Sequence, residues 1–203
     1  MSHNPAHIHS ISKKEIMDLP IKKYTGDIHV IDSDAKMPAA VLALGREKVL
    51  GFDTETRPSF KVGESYPPSL IQLASRDGAY IFQLSHIRAY DGLVDILGDE
   101  KRVKVGIAVA DDIKKLKSLF AFEPEGFIEL AGLAVTAGIK HAGIRGLAAL
   151  LFGCRISKST KCSRWDTPIL TREQIVYAAT DAWICREIYF ELRKRNKEIN
   201  KED

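Results

Sequence analysis

Residues 49–84 read VLGFDTETRPSFKVGESYPPSLIQLASRDGAYIFQL, and the pattern of this stretch decides the architecture. Val49-Leu50-Gly51-Phe52 is an apolar run that ends on Asp53 and Glu55. Two further apolar runs, residues 69–74 and 79–84, flank Ser75-Arg76-Asp77-Gly78. Short β-branched and aromatic runs are strand signals, and Asp-Gly between two of them is a hairpin signal. The stretch therefore predicts three strands in meander order.

Working outward, residues 28–32 are a β-branched run, and 36–44 carry helical spacing that stops at Gly45, a residue suited to a left-handed helix end. Downstream, 93–97 predict a helix and 102–109 a buried strand. A helix over 112–120 follows, with apolar residues at 113, 116, 119 and 120. Residues 127–130 predict a further strand, and 146–152 and 172–195 predict helices, the last capped by Thr171 with Glu173 and Gln174 in its first turn. The expected fold class is α/β: a mixed sheet of five or six strands, an antiparallel meander extended by parallel strands, with helices on its faces.

The chain has 203 residues, 30 Lys and Arg against 27 Asp and Glu, and a net charge of +3. Such a balance excludes an acidic or disordered tail and does not announce a polyanion partner. With 45% hydrophobic residues the length suits one domain, expected at 26–195 between a flexible N-terminal arm (1–25, with His3, His7 and His9) and a flexible C-terminal tail (196–203). Cys154, Cys162 and Cys185 are odd in number and lack C-x-x-C spacing, which favours a reducing, cytoplasmic setting over a disulfide scaffold. No apolar run reaches the roughly 18 to 20 residues of a membrane span, and the start lacks the apolar centre of a secretory signal.

Acids carry the chemistry. Asp53 and Glu55 are two apart at a strand end, so they project on one face and converge. Two close carboxylates repel, and an oxygen-seeking divalent cation relieves the repulsion; solvation at an exposed strand end is the bland alternative. Asp112 opens the helix after the 102–109 strand, where it or Asp111 also reads as a helix cap. Tyr177 and Asp181, at i and i+4, share one face of an Ala-rich helix that needs a cation or donor for its carboxylate. Four acids from separated segments point to a two-metal centre acting at phosphorus, with magnesium or manganese rather than zinc, since no histidine or cysteine is placed to join them.

The segments GFDTET (51–56), VGIAVADDIKKL (105–116) and YAATDA (177–182) resemble the three motifs of the DEDD superfamily of 3′-5′ exonucleases, in the subgroup whose third motif is Y-x-x-x-D. The stretch CSRWDTPILTREQIVYAATDAW (162–183) is similar to the Werner-type exonuclease domains, with ribonuclease D more distant. The resemblance implies a ribonuclease H-like fold and release of nucleoside 5′-monophosphates from the 3′ ends of DNA or RNA, with two divalent cations, Mg2+ or Mn2+. It implies metal ligation by Asp53, Glu55, Asp112 and Asp181, with Asp53 bridging both ions, and a water-positioning role for Tyr177. Counted from Gly106 and Leu116, Asp112 rather than Asp111 falls on the motif position. No helicase motif is present in these residues.

Substrate contacts are expected from Thr54, between the two acids, and from the loop before the last helix, where Lys158, Lys161 and Arg164 can neutralise phosphates and Trp165 can stack on a base or pack in the core. Phe60, Tyr66, Leu70 and Ile71 are candidates to wedge the terminal base, or core. Two rival readings are a non-catalytic nucleic-acid-binding module on the same fold and a haloacid-dehalogenase-type phosphatase. The latter needs Asp where Glu55 stands, and its later motifs are missing.

Overall fold

The computed structural model describes residues 10–202 apart from positions 62, 142, 159 and 161. Among the described residues six strands form one sheet in the order β1-β4-β3-β2-β5-β6: β1 Asp27–Ile31, β2 Val49–Thr56, β3 Pro68–Ala74, β4 Gly78–Gln83, β5 Val103–Gly106 and β6 Phe127–Glu129. The meander pairs β2, β3 and β4 antiparallel, while β1, β5 and β6 join parallel to their neighbours. Among the described residues there are seven α-helices, α1 Lys13–Asp18, α2 Met37–Leu44, α3 Asp91–Gly98, α4 Val109–Leu116, α5 Leu130–Thr136, α6 Ile144–Phe152 and α7 Arg172–Glu202.

The two faces of the sheet have different tasks. Leu50, Phe52, Ile71, Leu73 and Phe82 point to one face and pack with α2 and α3 residues such as Leu44 and Leu93. On the other, Leu70, Ala74 and Ile81 meet Ala178, Ala179 and Ala182 of α7. The three alanines of α7, with Ala74 on the sheet, let the helix lie close. At Gly51 the approach is closest, since a Cβ there would stand 1.9 Å from the Ala182 carbonyl oxygen; only glycine permits it.

Several sequence expectations are corrected. Residues within 1–25 are ordered where described: Ser12 and Glu15 form a reciprocal capping box that starts α1, and residues 20–24 are strapped down through Lys22 N to Arg155 O (3.0 Å), Arg155 N to Pro20 O (2.9 Å) and Tyr24 N to Thr180 Oγ1 (3.0 Å). The helix expected to end at 195 runs on to Glu202, because no glycine or proline interrupts it. Gly45 ends α2 with φ −61°, right-handed rather than left-handed. In the hairpin, the Ser75 hydroxyl accepts from the amides of Asp77 and Gly78, so a side chain closes the turn without a left-handed glycine. The strand expected to reach 109 stops at Gly106, and α5, short and with Gly132 inside it, carries too weak a periodic signal to predict.

Candidate active site

Strand alternation turns Asp53 and Glu55 toward α7, and the helix held close by Gly51 brings Asp181 over them. Carboxylate oxygens of the three residues all lie within 4.8 Å of one another. Glu55 and Asp181 are buried and Asp53 is half-buried. The donor set is all oxygen and carries three formal negative charges, a combination suited to a hard divalent cation. Among the described residues no histidine lines this cleft.

Asp112 reaches the same cleft from α4 but stands outside the trio. The helix begins three residues earlier than expected, with Ala108 in the left-handed region (φ 58°) at its start. Asp112 is therefore a first-turn residue rather than a cap. The turn is fixed by Glu129, whose carboxylate accepts from Val109 N at 3.1 Å and Ala131 N at 3.2 Å. Asp112 is half-buried and faces the cleft, whereas Asp111 is exposed and does not line it. Burial pushes the Asp112 carboxyl above its ordinary range, and the Thr54 hydroxyl, donating to it at 2.6 Å, works against that rise.

Tyr177 sits one turn before Asp181 on α7. Burial raises its phenol far above the ordinary value, and the negative charges of Asp181, Glu55 and Asp53 add to the rise. It is a neutral hydrogen-bonding group at any physiological pH.

The cleft around these residues encloses about 560 Å3 and is also lined by Arg57, Lys115, Arg145 and Lys158. Of the expected substrate contacts, Lys158 is there. Lys161 lies outside the described residues. Arg164 lines a neighbouring hollow with Arg57, Phe60 and Tyr66 instead; it pairs with Asp166 at 3.3 Å, and Asp166 also holds Arg57 at 3.1 Å. Trp165 is not available for stacking on a base. It is 1% exposed, packed with Leu70 and Leu170, its ring 5.8 Å from that of Tyr177. Thr54 lines the cleft, but its hydroxyl is spent on Asp112. Leu70 and Ile71 are core, whereas Phe60 is 86% exposed and the half-buried Tyr66 lines the cleft, so these two of the wedge candidates are accessible.

Sequence reasoning missed Arg57, Lys115 and Arg145. Lys115, one turn after Asp112 on the same helix face, was legible from spacing, whereas Arg145 arrives from α6 by tertiary packing. It also missed an adjoining hollow of about 330 Å3 that shares Ile156, Ser157 and Tyr177 with the cleft and presents Lys22, Lys23 and Arg172.

Comparison with known proteins shows the family. A family profile described as 3′-5′ exonuclease matches residues 28–197. The chain belongs to the 3′-5′ exonuclease family. It is 34% identical over 151 residues to the bifunctional 3′-5′ exonuclease/ATP-dependent helicase WRN of Mus musculus, covering 71% of this chain and 11% of that protein. With the exonuclease 3′-5′ domain-containing protein 2 of Drosophila melanogaster it shares 34% over 150 residues, 71% of this chain and 25% of the relative. The chain thus spans a quarter or less of these two relatives. Among solved structures, the Nibbler EXO domain of Aedes aegypti superposes with a TM-score of 0.79 at 24% identity, over 88% of this chain and 94% of that one. RNase D of Escherichia coli gives 0.77 at 22%, over 85% and 46%. These likenesses are of fold. Among the described residues no helix is long and apolar enough to cross a membrane.

Proposed function

We propose that the chain hydrolyses the 3′-terminal phosphodiester of a DNA or RNA strand, releasing nucleoside 5′-monophosphates with the help of two divalent cations, Mg2+ or Mn2+. The observation that carries this is the convergence of Asp53, Glu55 and Asp181 within 4.8 Å in a family of 3′-5′ exonucleases. Asp53, Glu55 and Asp181 would hold the cations, with Asp112 in the same cleft lending a further carboxylate. Bound there, the cations supply a nucleophile at neutral pH and charge stabilisation for the leaving 3′ oxygen.

The protein's own groups do the rest. Tyr177 stays protonated, so it orients the attacking water rather than taking its proton. Lys158, Arg145 and Lys115 give the cleft a cationic wall for the terminal phosphate. Lys22, Lys23 and Arg172 extend that wall to phosphates further along the strand. Arg57 and Arg164, held together by Asp166, flank the entrance beside the exposed Phe60 ring, a cation and aromatic combination suited to single strands. Three unbridged thiols fit a reducing cytoplasm.

The test is a 5′-labelled oligonucleotide, as DNA and as RNA of one sequence, incubated with Mg2+ or Mn2+. The expected result is a ladder shortening from the 3′ end, slowed in Tyr177→Phe with metal binding retained. Binding without shortening of either strand would refute the proposal in favour of a non-catalytic module.

A further inference from the structure

One buried polar side chain beside the acids has no assigned task. Gln72 lies at the centre of β3, is 0% exposed, and both its amide nitrogen and its amide oxygen lack a hydrogen-bond partner among the described residues. Leaving such a group unsatisfied costs about 1 to 3 kcal/mol. The register places Gln72 directly opposite Asp53 in the antiparallel β2–β3 pair, and residues directly opposite share a face with Cβ atoms about 4.5 to 5.5 Å apart. Beside it the layer between β3 and α7 holds the apolar Leu70, Ala74, Ile81, Ala178, Ala179 and Ala182, and its polar members are the acid cluster with Tyr177, Gln83 and the indole N–H of Trp165. Its cross-strand neighbour Asp53 is the polar group the register offers it.

Two other polar side chains of the site are already engaged. Gln83, on the same face of β4, donates its amide N–H groups to the carbonyls of Thr167 at 2.9 Å and Pro168 at 3.2 Å, so its donors hold a loop. Asp112 already has a neutral donor, the Thr54 hydroxyl, fixing its carboxylate. A neutral donor suits a metal ligand, because it orients the carboxylate without cancelling the charge that a cation needs; a lysine or arginine there would compete with the ion.

We propose that Gln72 is a positioning residue for the Asp53 carboxylate, its amide N–H donating to that carboxylate when the acid cluster holds cations. The inference rests on the metal-binding reading of Asp53, Glu55 and Asp181. Partners that orient a metal ligand in this way are worth about 10- to 100-fold in metal affinity. The amide is also a standing cost to the metal-free fold, since its N–H finds its acceptor in the loaded state.

Calorimetric titration of Mn2+ into wild type, Gln72→Met and Asp53→Asn, with thermal melting of each protein in EDTA, tests this. Methionine matches glutamine in length and removes both polar atoms. The expected result is a Mn2+ dissociation constant 10- to 100-fold higher in Gln72→Met, with a metal-free melting temperature equal to or above that of wild type. An unchanged dissociation constant would overturn the proposal. So would a weaker affinity accompanied by a lower metal-free melting temperature, which is how a merely structural amide behaves. If wild type itself takes up no Mn2+, or Asp53→Asn binds as well as wild type, the metal reading of the acids falls, and the role of Gln72 with it.

Discussion

Gly51→Ala puts one methyl group at the contact that brings α7 onto the sheet, and its consequence can be worked from the structure. The added Cβ would stand 1.9 Å from the Ala182 carbonyl oxygen and 2.9 Å from its carbonyl carbon, both backbone atoms, and 3.1 Å from the Arg186 Cβ. Restoring even 3.0 Å to the oxygen means a displacement of about 1.1 Å, and a backbone carbonyl in mid-helix cannot swing aside as a side chain would. The helix has to recede, taking with it Asp181, the residue before Ala182, and Tyr177 one turn earlier. A misplacement of about 1 Å at a reacting centre costs on the order of 100-fold in rate, while overpacking of this kind costs about 1 to 3 kcal/mol of stability. Single-turnover shortening of a 5′-labelled oligonucleotide, alongside circular dichroism melting, should show a folded protein slowed by about 100-fold. Wild-type turnover with an unchanged melting temperature would refute the argument that glycine at position 51 sets the distance between the acids of β2 and α7.

Trp165→Ala should lower stability by about 3 to 5 kcal/mol in chemical denaturation, whereas a base-stacking tryptophan would lose oligonucleotide affinity at unchanged stability. Lys104 is fully buried on β5, donates to the Asp99 carbonyl at 2.8 Å, and is lowered by burial to about 8. Between pH 8 and 10.5 the unfolded chain binds the proton that the folded chain has released, so this lysine makes stability rise with pH across that window. Lys104→Met should therefore be the more stable protein at pH 7, with the advantage shrinking as pH climbs through 8; a pH-independent difference in urea melts would contradict this. Lys22→Glu combined with Lys23→Glu should weaken binding of a long oligonucleotide and reduce the slope of log affinity against log salt by about one for each phosphate no longer neutralised, leaving hydrolysis of a dinucleotide little changed. An unaltered salt slope would remove the strap lysines from the strand path.

How much of this was legible in the sequence depended on the range of the signal. The meander could be read because alternation and turn residues lie within a dozen positions of each other, and Asp53 with Glu55 because a two-residue spacing fixes a shared face. Tyr177 with Asp181 followed from one helical turn. Counting from Gly106 and Leu116 favoured Asp112 over Asp111, but its orientation into the cleft follows from the start of α4, which depends on Ala108 taking a left-handed conformation that alanine seldom adopts. Placing Trp165 in the core required knowing that α7 lies on that face. Residues 12–15 carried a capping box in plain view, but the docking of residues 20–24 on Arg155 and Thr180 spans more than 130 positions and leaves no local trace. Arg145 and the Lys22, Lys23, Arg172 hollow were hidden for the same reason, since they exist only as juxtapositions of distant segments.

Cations held between β2 and α7 are the centre of the proposed chemistry. Crystals of the protein soaked in Mn2+ and measured at a wavelength where manganese scatters anomalously locate them directly. Two anomalous peaks about 3.5 to 4 Å apart are expected, bounded by Asp53, Glu55 and Asp181 and lost in Asp53→Asn. Well-diffracting crystals with no peak at these carboxylates, or with manganese bound elsewhere in the cleft and unaffected by Asp53→Asn, would contradict the two-cation reading.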